Sequence, residues 1–209
     1  MLQNYKIFSG QIEIIITSVK PEKLRKKEVV FVIDLLNQIM QILPLIRKGG
    51  KKNRIYIIHK KPELAFNYFS ACYRNIIAAG GIIRNSKGEI LLIKKNDKWD
   101  LPKGQIKRGE KKRDAAMREI SEECGVKQLE IVKKIEKTYH IGRKKGKRFF
   151  KTTHWYEMNC WDENNLQPEI AEGISEVKWV RLSQLPFYSE NTYANLKKML
   201  DQYSKKGLI

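Results

Sequence analysis

The segment Gly104–Val126, GQIKRGEKKRDAAMREISEECGV, constrains this chain more than any other. From Asp114 to Cys124 it holds neither Pro nor Gly, and Ala115-Ala116-Met117 in its middle favours helix. On a helix Glu119 stands three and four residues before Glu122 and Glu123, so three carboxylates crowd one surface. Like charges at that spacing repel. A helix built this way points to a bound divalent cation, because Mg²⁺ takes hard oxygen ligands and reverses the sign of the local field.

The pattern of glycine, five residues, glutamate, seven residues, then Arg-Glu-aliphatic-x-Glu-Glu-x-Gly-aliphatic runs through Gly104, Glu110, Arg118-Glu119-Ile120, Glu122-Glu123 and Gly125-Val126. It resembles the Nudix box at every defined position. The flanks, from about Asn75 to about Pro186, also look like a Nudix domain. This resemblance implies an α+β fold, the Nudix α/β/α sandwich with a mixed sheet, over residues 73–209. Residues 1–72 precede it as a small mixed α/β unit. The entry to the box reads Leu101-Pro102-Lys103-Gly104, a spelling similar to that of family members that hydrolyse dinucleoside polyphosphates and of some inositol pyrophosphate hydrolases.

Composition describes a folded chain, with 42% hydrophobic and 31% charged residues among 209. The apolar runs, such as Ile14-Ile15-Ile16 and Ile76 to Ile83, are too short to span a bilayer. The N-terminus lacks a basic segment followed by a long apolar one, so no secretory signal is expected. Cys72, Cys124 and Cys160 form no metal-spaced pair and are odd in number, which suits a reducing cytoplasm. The net charge of +19 implies attraction to polyanions, either a phosphate-rich substrate or nucleic acid. Both halves contribute: residues 1–75 carry 14 Lys and Arg against 5 acids.

Along the chain, Tyr5–Phe8 and Ile12–Ile16 read as strands around the turn Ser9-Gly10-Gln11. Lys20–Glu28 reads as an exposed charged stretch, and Phe31–Ile46 as an amphipathic helix that Gly49-Gly50 ends. Arg54–Ile58 restores a strand pattern, and Pro62 opens a short helix through Phe69. This unit shows no catalytic pattern; completing a homodimer or covering the catalytic domain suits it better. Asn75–Arg84 and Glu89–Ile93 read as a strand pair, and Leu129–Tyr139 as one strand.

The run Gly142-Arg143-Lys144-Lys145-Gly146-Lys147-Arg148 holds five positive charges in seven residues. A solvated hairpin tip is one reading. The other, favoured here because the cluster falls in the domain of the carboxylates, is a clamp closing Arg143, Lys144, Lys145, Lys147, Arg148 and Lys151 over a polyphosphate. On the strand that follows, alternation sends Lys151, Thr153, Trp155 and Glu157 to one face and Thr152, His154, Tyr156 and Met158 to the other. His154 and Tyr156 face either a substrate or ordinary sheet packing. Glu172 and Glu176, on an expected loop, are candidates for an additional acid at the site. Phe187–Lys206 reads as one closing helix.

The family resemblance implies a metal held by Glu119, Glu122 and Glu123 with the Lys103 backbone carbonyl, Mg²⁺ first and Mn²⁺ as the alternative. It makes Glu119 a ligand or the general base, leaves Arg118 to orient a neighbouring carboxylate, and gives Glu110 to the loop or to a second metal. The reaction implied is hydrolysis of a phosphoanhydride in a nucleoside diphosphate linked to another group, or in a small anionic polyphosphate such as a dinucleoside polyphosphate or diphosphoinositol. ADP-ribose fits less well, because no proline lies between Val126 and Pro168. Two alternatives stay open, a nucleic-acid-binding regulator with a Nudix fold and an RNA 5′-end pyrophosphohydrolase.

Overall fold

The computed structural model describes residues 4–48, 53–162 and 164–206, with side chains as far as Tyr203. The expected helix stop at Gly49-Gly50 lies outside them. The chain begins β1 (Tyr5–Ser9), β2 (Ile12–Thr17), β3 (Glu28–Val32), α1 (Ile39–Lys48), β4 (Arg54–Ile58) and α2 (Pro62–Ala71). It continues β5 (Arg74–Arg84), β6 (Ile90–Lys95), β7 (Lys98–Asp100), β8 (Lys103–Gln105), α3 (Lys112–Cys124) and β9 (Leu129–Lys134). It ends β10 (Thr138–Lys144), β11 (Lys147–Cys160), β12 (Ile174–Val180), α4 (Leu185–Glu190) and α5 (Ala194–Lys206). Among the described residues no helix is long and apolar enough to cross a membrane.

Two compact units result: Met1–Ile76 with Tyr139–Lys151, and Ile77–Thr138 with Thr152–Ile209. In the first, strands run in the order β10-β1-β2-β4-β3. β1 pairs antiparallel with β2, while β10 on β1, and β4 on both β2 and β3, are parallel pairs. The isoleucines of β2 and β4 (Ile14, Ile16, Ile55, Ile57) pack against Ile39, Ile42, Leu43 and Ile46 of α1 and Phe69 of α2. Glu13, Arg54 and Glu28 stand side by side on β2, β4 and β3, and Arg54 reaches both acids at 2.7 Å. That neutralises two carboxylates which are only 6% and 8% exposed.

The sequence reading placed a helix from Phe31. Instead Glu28–Val32 is a strand, and helix begins only at Ile39 after a 3₁₀ turn at Leu36–Gln38. The run Val29-Val30-Phe31-Val32 is β-branched and aromatic, and its partner β4 lies more than twenty residues away, beyond the reach of a local periodicity. Leu129–Tyr139 is likewise two strands, β9 and the start of β10, with a break after Lys134 across which the Ile135 N–H still donates to Trp155 O of β11.

In the second unit the sheet order is β12-β6-β5-β11, with β7 on β6, β8 on β5 and β9 on β11. Strand alternation divides its core into two layers. Ile83, Leu91, Ile93, Tyr156 and Met158 face Ala115, Ala116, Ile120 and Cys124 of α3. Ile82, Ile90, Leu92 and Trp155 face Leu185, Leu196 and Leu200 of α4 and α5. The result is a helix–sheet–helix sandwich, as the α+β reading expected. The closing helix is split. Asn191 leaves helical geometry (φ −108°, ψ 48°), its side-chain amide donates to Asp97 O at 2.8 Å, and the Thr192 hydroxyl donates to Trp99 O at 2.6 Å.

Candidate active site

The sheet core holds α3 by Ala115, Ala116 and Ile120, and this packing turns Glu119 and Glu123 inward. Glu119 is 6% exposed and Glu123 1%, whereas the Glu122 side chain is half exposed. The helix ends at Gly125, which takes a left-handed conformation (φ 81°) that glycine tolerates without strain. Its last carbonyls are covered by the chain that follows: Gln167 N–H donates to Cys124 O at 2.9 Å, and Glu169 N–H to Glu123 O at 3.3 Å. These bonds lead the 3₁₀ turn Ile170–Glu172 to the end of α3 that carries Glu123.

Two networks of opposite charge organise the carboxylates. Arg118 donates to Glu110 through both Nε (2.7 Å) and Nη2 (2.9 Å), and through Nη1 it reaches Glu119 Oε1 and Glu122 Oε2, each at 2.7 Å. It also donates to Gln105 O at 3.2 Å, so one guanidinium ties the loop before α3 to three acids of the site. Glu110 accepts the Lys107 N–H as well, and its carboxyl is drawn down to about 2 by the Arg118 hydrogen bonds first and the backbone bond second. In the other network, Lys95 of β6 bridges Glu123 Oε1 at 3.4 Å and Glu172 Oε2 at 2.9 Å. Burial disfavours the charged lysine, yet hydrogen bonds and charge from Glu172 and Glu123 outweigh it and raise its pKa. Glu123 Oε2 accepts the Lys103 N–H at 2.8 Å.

Burial pushes Glu119 and Glu123 above the ordinary carboxylate range, and the nearby Arg118, Lys103 and Lys95 only partly offset it. Gly104, paired with Ala79 on β5, leaves the space that the Glu119 carboxylate occupies: a β-carbon there would overlap Oε2 and Cδ. Together Glu119, Glu122, Glu123 and Glu172 supply hard oxygen donors of the kind a divalent cation takes. Among the described residues no three acidic, His or Cys side chains close into a ready cage, because Arg118 and Lys95 occupy the carboxylate oxygens. The donor chemistry therefore fits a cation that competes with those two residues.

Of the residues singled out from the sequence, Glu110, Arg118, Glu119, Glu122, Glu123 and Lys103 come together in the second unit. His154 is buried at 4% exposure, which leaves almost no surface for a substrate. Tyr156 lines a cleft of about 260 Å³ with Arg113, Lys133 and Lys134, and burial raises its phenol pKa. The basic hairpin is placed differently from expectation. Tyr139–Lys151 groups with the first unit, so Arg143, Lys144, Lys145, Lys147, Arg148 and Lys151 do not share the unit of the carboxylates. The cause is apolar: Tyr139 and Phe150 pack around Phe66, with ring centroids 4.8 and 5.8 Å away, and β10 pairs with β1. The tip itself is a two-residue turn, Lys145-Gly146, with positive φ at both residues. Lys95 was missed in the sequence, where nothing distinguishes it from its neighbour Lys94.

A family model described as NUDIX domain matches residues 74–203. Over 105 residues the chain is 33% identical to a putative mutator protein MutT4 of Mycobacterium tuberculosis, covering 49% of this chain and 40% of that protein. Over 122 residues it is 25% identical to an RNA pyrophosphohydrolase of Nitratiruptor sp., covering 53% and 77% respectively. The crystal structure of a C. elegans Ap4A hydrolase binary complex matches with a TM-score of 0.48 and 24% identity, over 64% of this chain and 98% of the other. The chain thus spans less than half the length of the Mycobacterium relative.

Proposed function

Because this chain belongs to the NUDIX domain family, we propose that it is a Mg²⁺-dependent pyrophosphohydrolase acting on a small anionic polyphosphate in the cytoplasm. The observation that carries this reading is the double network in which Arg118 holds Glu110, Glu119 and Glu122 and Lys95 holds Glu123 and Glu172, with the Glu119 carboxylate against the bare backbone of Gly104. The family generally uses divalent cations. Glu119, Glu122 and Glu123, with the Lys103 carbonyl, would hold the ion; Mg²⁺ suits oxygen donors, and Mn²⁺ is its substitute. When bound, it supplies charge neutralisation of phosphate oxygens and acidifies water.

The protein's own groups do the remaining work. The Lys103 N–H fixes Glu123, and Arg118 fixes the directions of Glu119 and Glu122 while its grip on Glu110 keeps the loop in place. Glu119, whose pKa burial raises, is suited to accept a proton from the attacking water if it is not a ligand. Arg113, Lys133 and Lys134 around the Tyr156 cleft lie in the same unit and favour an anionic substrate. The basic hairpin has no part in this reading.

Purified protein with Mg²⁺ should hydrolyse members of a panel of dinucleoside polyphosphates, diphosphoinositols and nucleoside diphosphate conjugates. Glu122→Gln and Glu123→Gln should each remove most turnover while circular dichroism stays unchanged. Retained turnover in both variants would refute the mechanism. The likeness to RNA pyrophosphohydrolases favours one second reading, removal of pyrophosphate from triphosphorylated RNA 5′ ends. Such RNA belongs in the same panel.

A further inference from the structure

The first unit contains a cleft of about 530 Å³ that the reaction above does not use. Its rim carries Lys27, Arg47, Lys48, Arg143 and Arg148, with no acidic side chain among the described lining residues. Four of these positions are tied to named elements. Arg47 and Lys48 end α1, and Arg148 Nη2 donates to the Arg47 carbonyl at 2.7 Å, which pins the hairpin to that helix end. Arg143 Nε donates to Gly146 O at 3.3 Å within the same hairpin.

None of the five cations has a salt bridge among the described residues, whereas Arg54 in the same unit is paired with two acids. Five like charges gathered around one concavity repel unless an anion offsets them. Tyr73, 8% exposed, lies outside the lining; its buried hydroxyl has no hydrogen-bond partner, and the charges of Arg47 and Arg148 act on it to lower its pKa against the larger effect of burial.

The cleft is not merely cationic. Ile12, Ile46 and Ile141, though nearly buried, add apolar atoms to its lining beside Gly10 and Gly142, and Gln11 and Asn53 line it as well. The volume suits one small molecule. We propose that this cleft binds a nucleoside di- or triphosphate, with the phosphates among Lys27, Arg47, Arg143 and Arg148 and the base against the apolar part of the lining. An apolar ring with polar edges, joined to three or four negative charges, matches both halves of the lining. This makes the N-terminal unit a nucleotide-binding module with a site of its own, built from residues that include none of the carboxylates of α3.

Calorimetric titration of the full chain with a β,γ-imido nucleoside triphosphate in EDTA tests this, since chelation withdraws the cation that the carboxylate site needs. The unaltered protein should bind. Lys27→Glu/Arg143→Glu should weaken binding by about ten-fold or more, and Glu122→Gln should bind as the unaltered protein does. Absence of binding up to millimolar nucleotide, equal binding by the charge-reversed variant, or loss in Glu122→Gln would each overturn the assignment. Should the charge-reversed protein fail to fold, photolabelling of the unaltered protein with an azido nucleotide takes its place. Labelled peptides must then include residues 9–12 or 141–148, and labelling confined elsewhere refutes the site. A short unphosphorylated single-stranded RNA that displaces the nucleotide and binds at least about ten-fold tighter would replace the small-molecule reading with a strand-binding one.

Discussion

Replacing Gly104 with alanine tests the geometry of the carboxylate site most directly. The new methyl would fall on the Glu119 carboxylate, overlapping Oε2 and Cδ and lying 2.7 Å from Oε1. The backbone has little room to yield, because Gly104 is paired with Ala79 and the adjoining Gly80 already sits against Pro102 and Lys103. Nor can α3 retreat, since Ala115, Ala116 and Ile120 are fully buried against the sheet. The side chain of Glu119 must therefore swing away by roughly 1 Å or more, losing its 2.7 Å contact with Arg118. Overpacking of this kind costs about 1–3 kcal/mol of stability. A misplacement of about 1 Å costs on the order of 10²-fold in turnover. The control is Gly88→Ala: Gly88 has φ 74° and no atom near its virtual β-carbon, so it suffers only backbone strain, about 1–2 kcal/mol. Urea denaturation should show comparable losses in the two variants, while the Mg²⁺-dependent hydrolysis assay shows a loss only in Gly104→Ala. Turnover in Gly104→Ala within about three-fold of the unaltered protein, a barrier change under about 0.7 kcal/mol, would refute the reasoning.

Arg118→Lys leaves a single ammonium where a guanidinium serves Glu110, Glu119 and Glu122. Turnover should fall about 10- to 100-fold, as for loss of a group that orients ligands, and the Glu110 carboxyl should rise from about 2 toward its ordinary 4.5 in an NMR titration. His154 is held at about 4, below its ordinary 6.5, by burial and then by Lys112, Lys137 and Lys134. As pH falls below 6.5 the unfolded chain takes the proton first, so stability present above 6.5 declines through the window down to about 4. The decline is at most about 3 kcal/mol at ~1.36 kcal/mol per unit, and denaturation curves of His154→Gln should lack it. Arg54→Met would strand Glu13 and Glu28 in the first unit's sheet. It should cost about 3–5 kcal/mol in urea denaturation, with recovery when both acids are also changed to Gln.

The gathering of the acids on α3 was legible locally because a helix has a fixed period. Residues 118, 119, 122 and 123 share a face wherever the helix packs, and Gly104 and Glu110 follow at short separations that one loop spans. Strand alternation in β11 was legible for the same reason: it separated Trp155 from Tyr156 and Met158 before any neighbour was known. Lys95 and Glu172 could not be assigned in this way. They lie 77 residues apart and meet only because β6 pairs with β12 and because the chain after α3 caps its C-terminal carbonyls.

The fate of the basic hairpin shows the same division most clearly. Its charge, its turn and its two strands are written in thirteen consecutive residues, Tyr139 to Lys151. Its membership in the first unit depends on Tyr139 and Phe150 finding Phe66, and on β10 finding β1, across more than sixty residues of intervening chain. Sequence alone determined the elements whose period or turn chemistry is local, together with the acids that one helix brings together. Tertiary structure decided which distant cations answer those acids and which unit the basic cluster serves, because strand pairing and apolar burial act between segments that no local pattern connects.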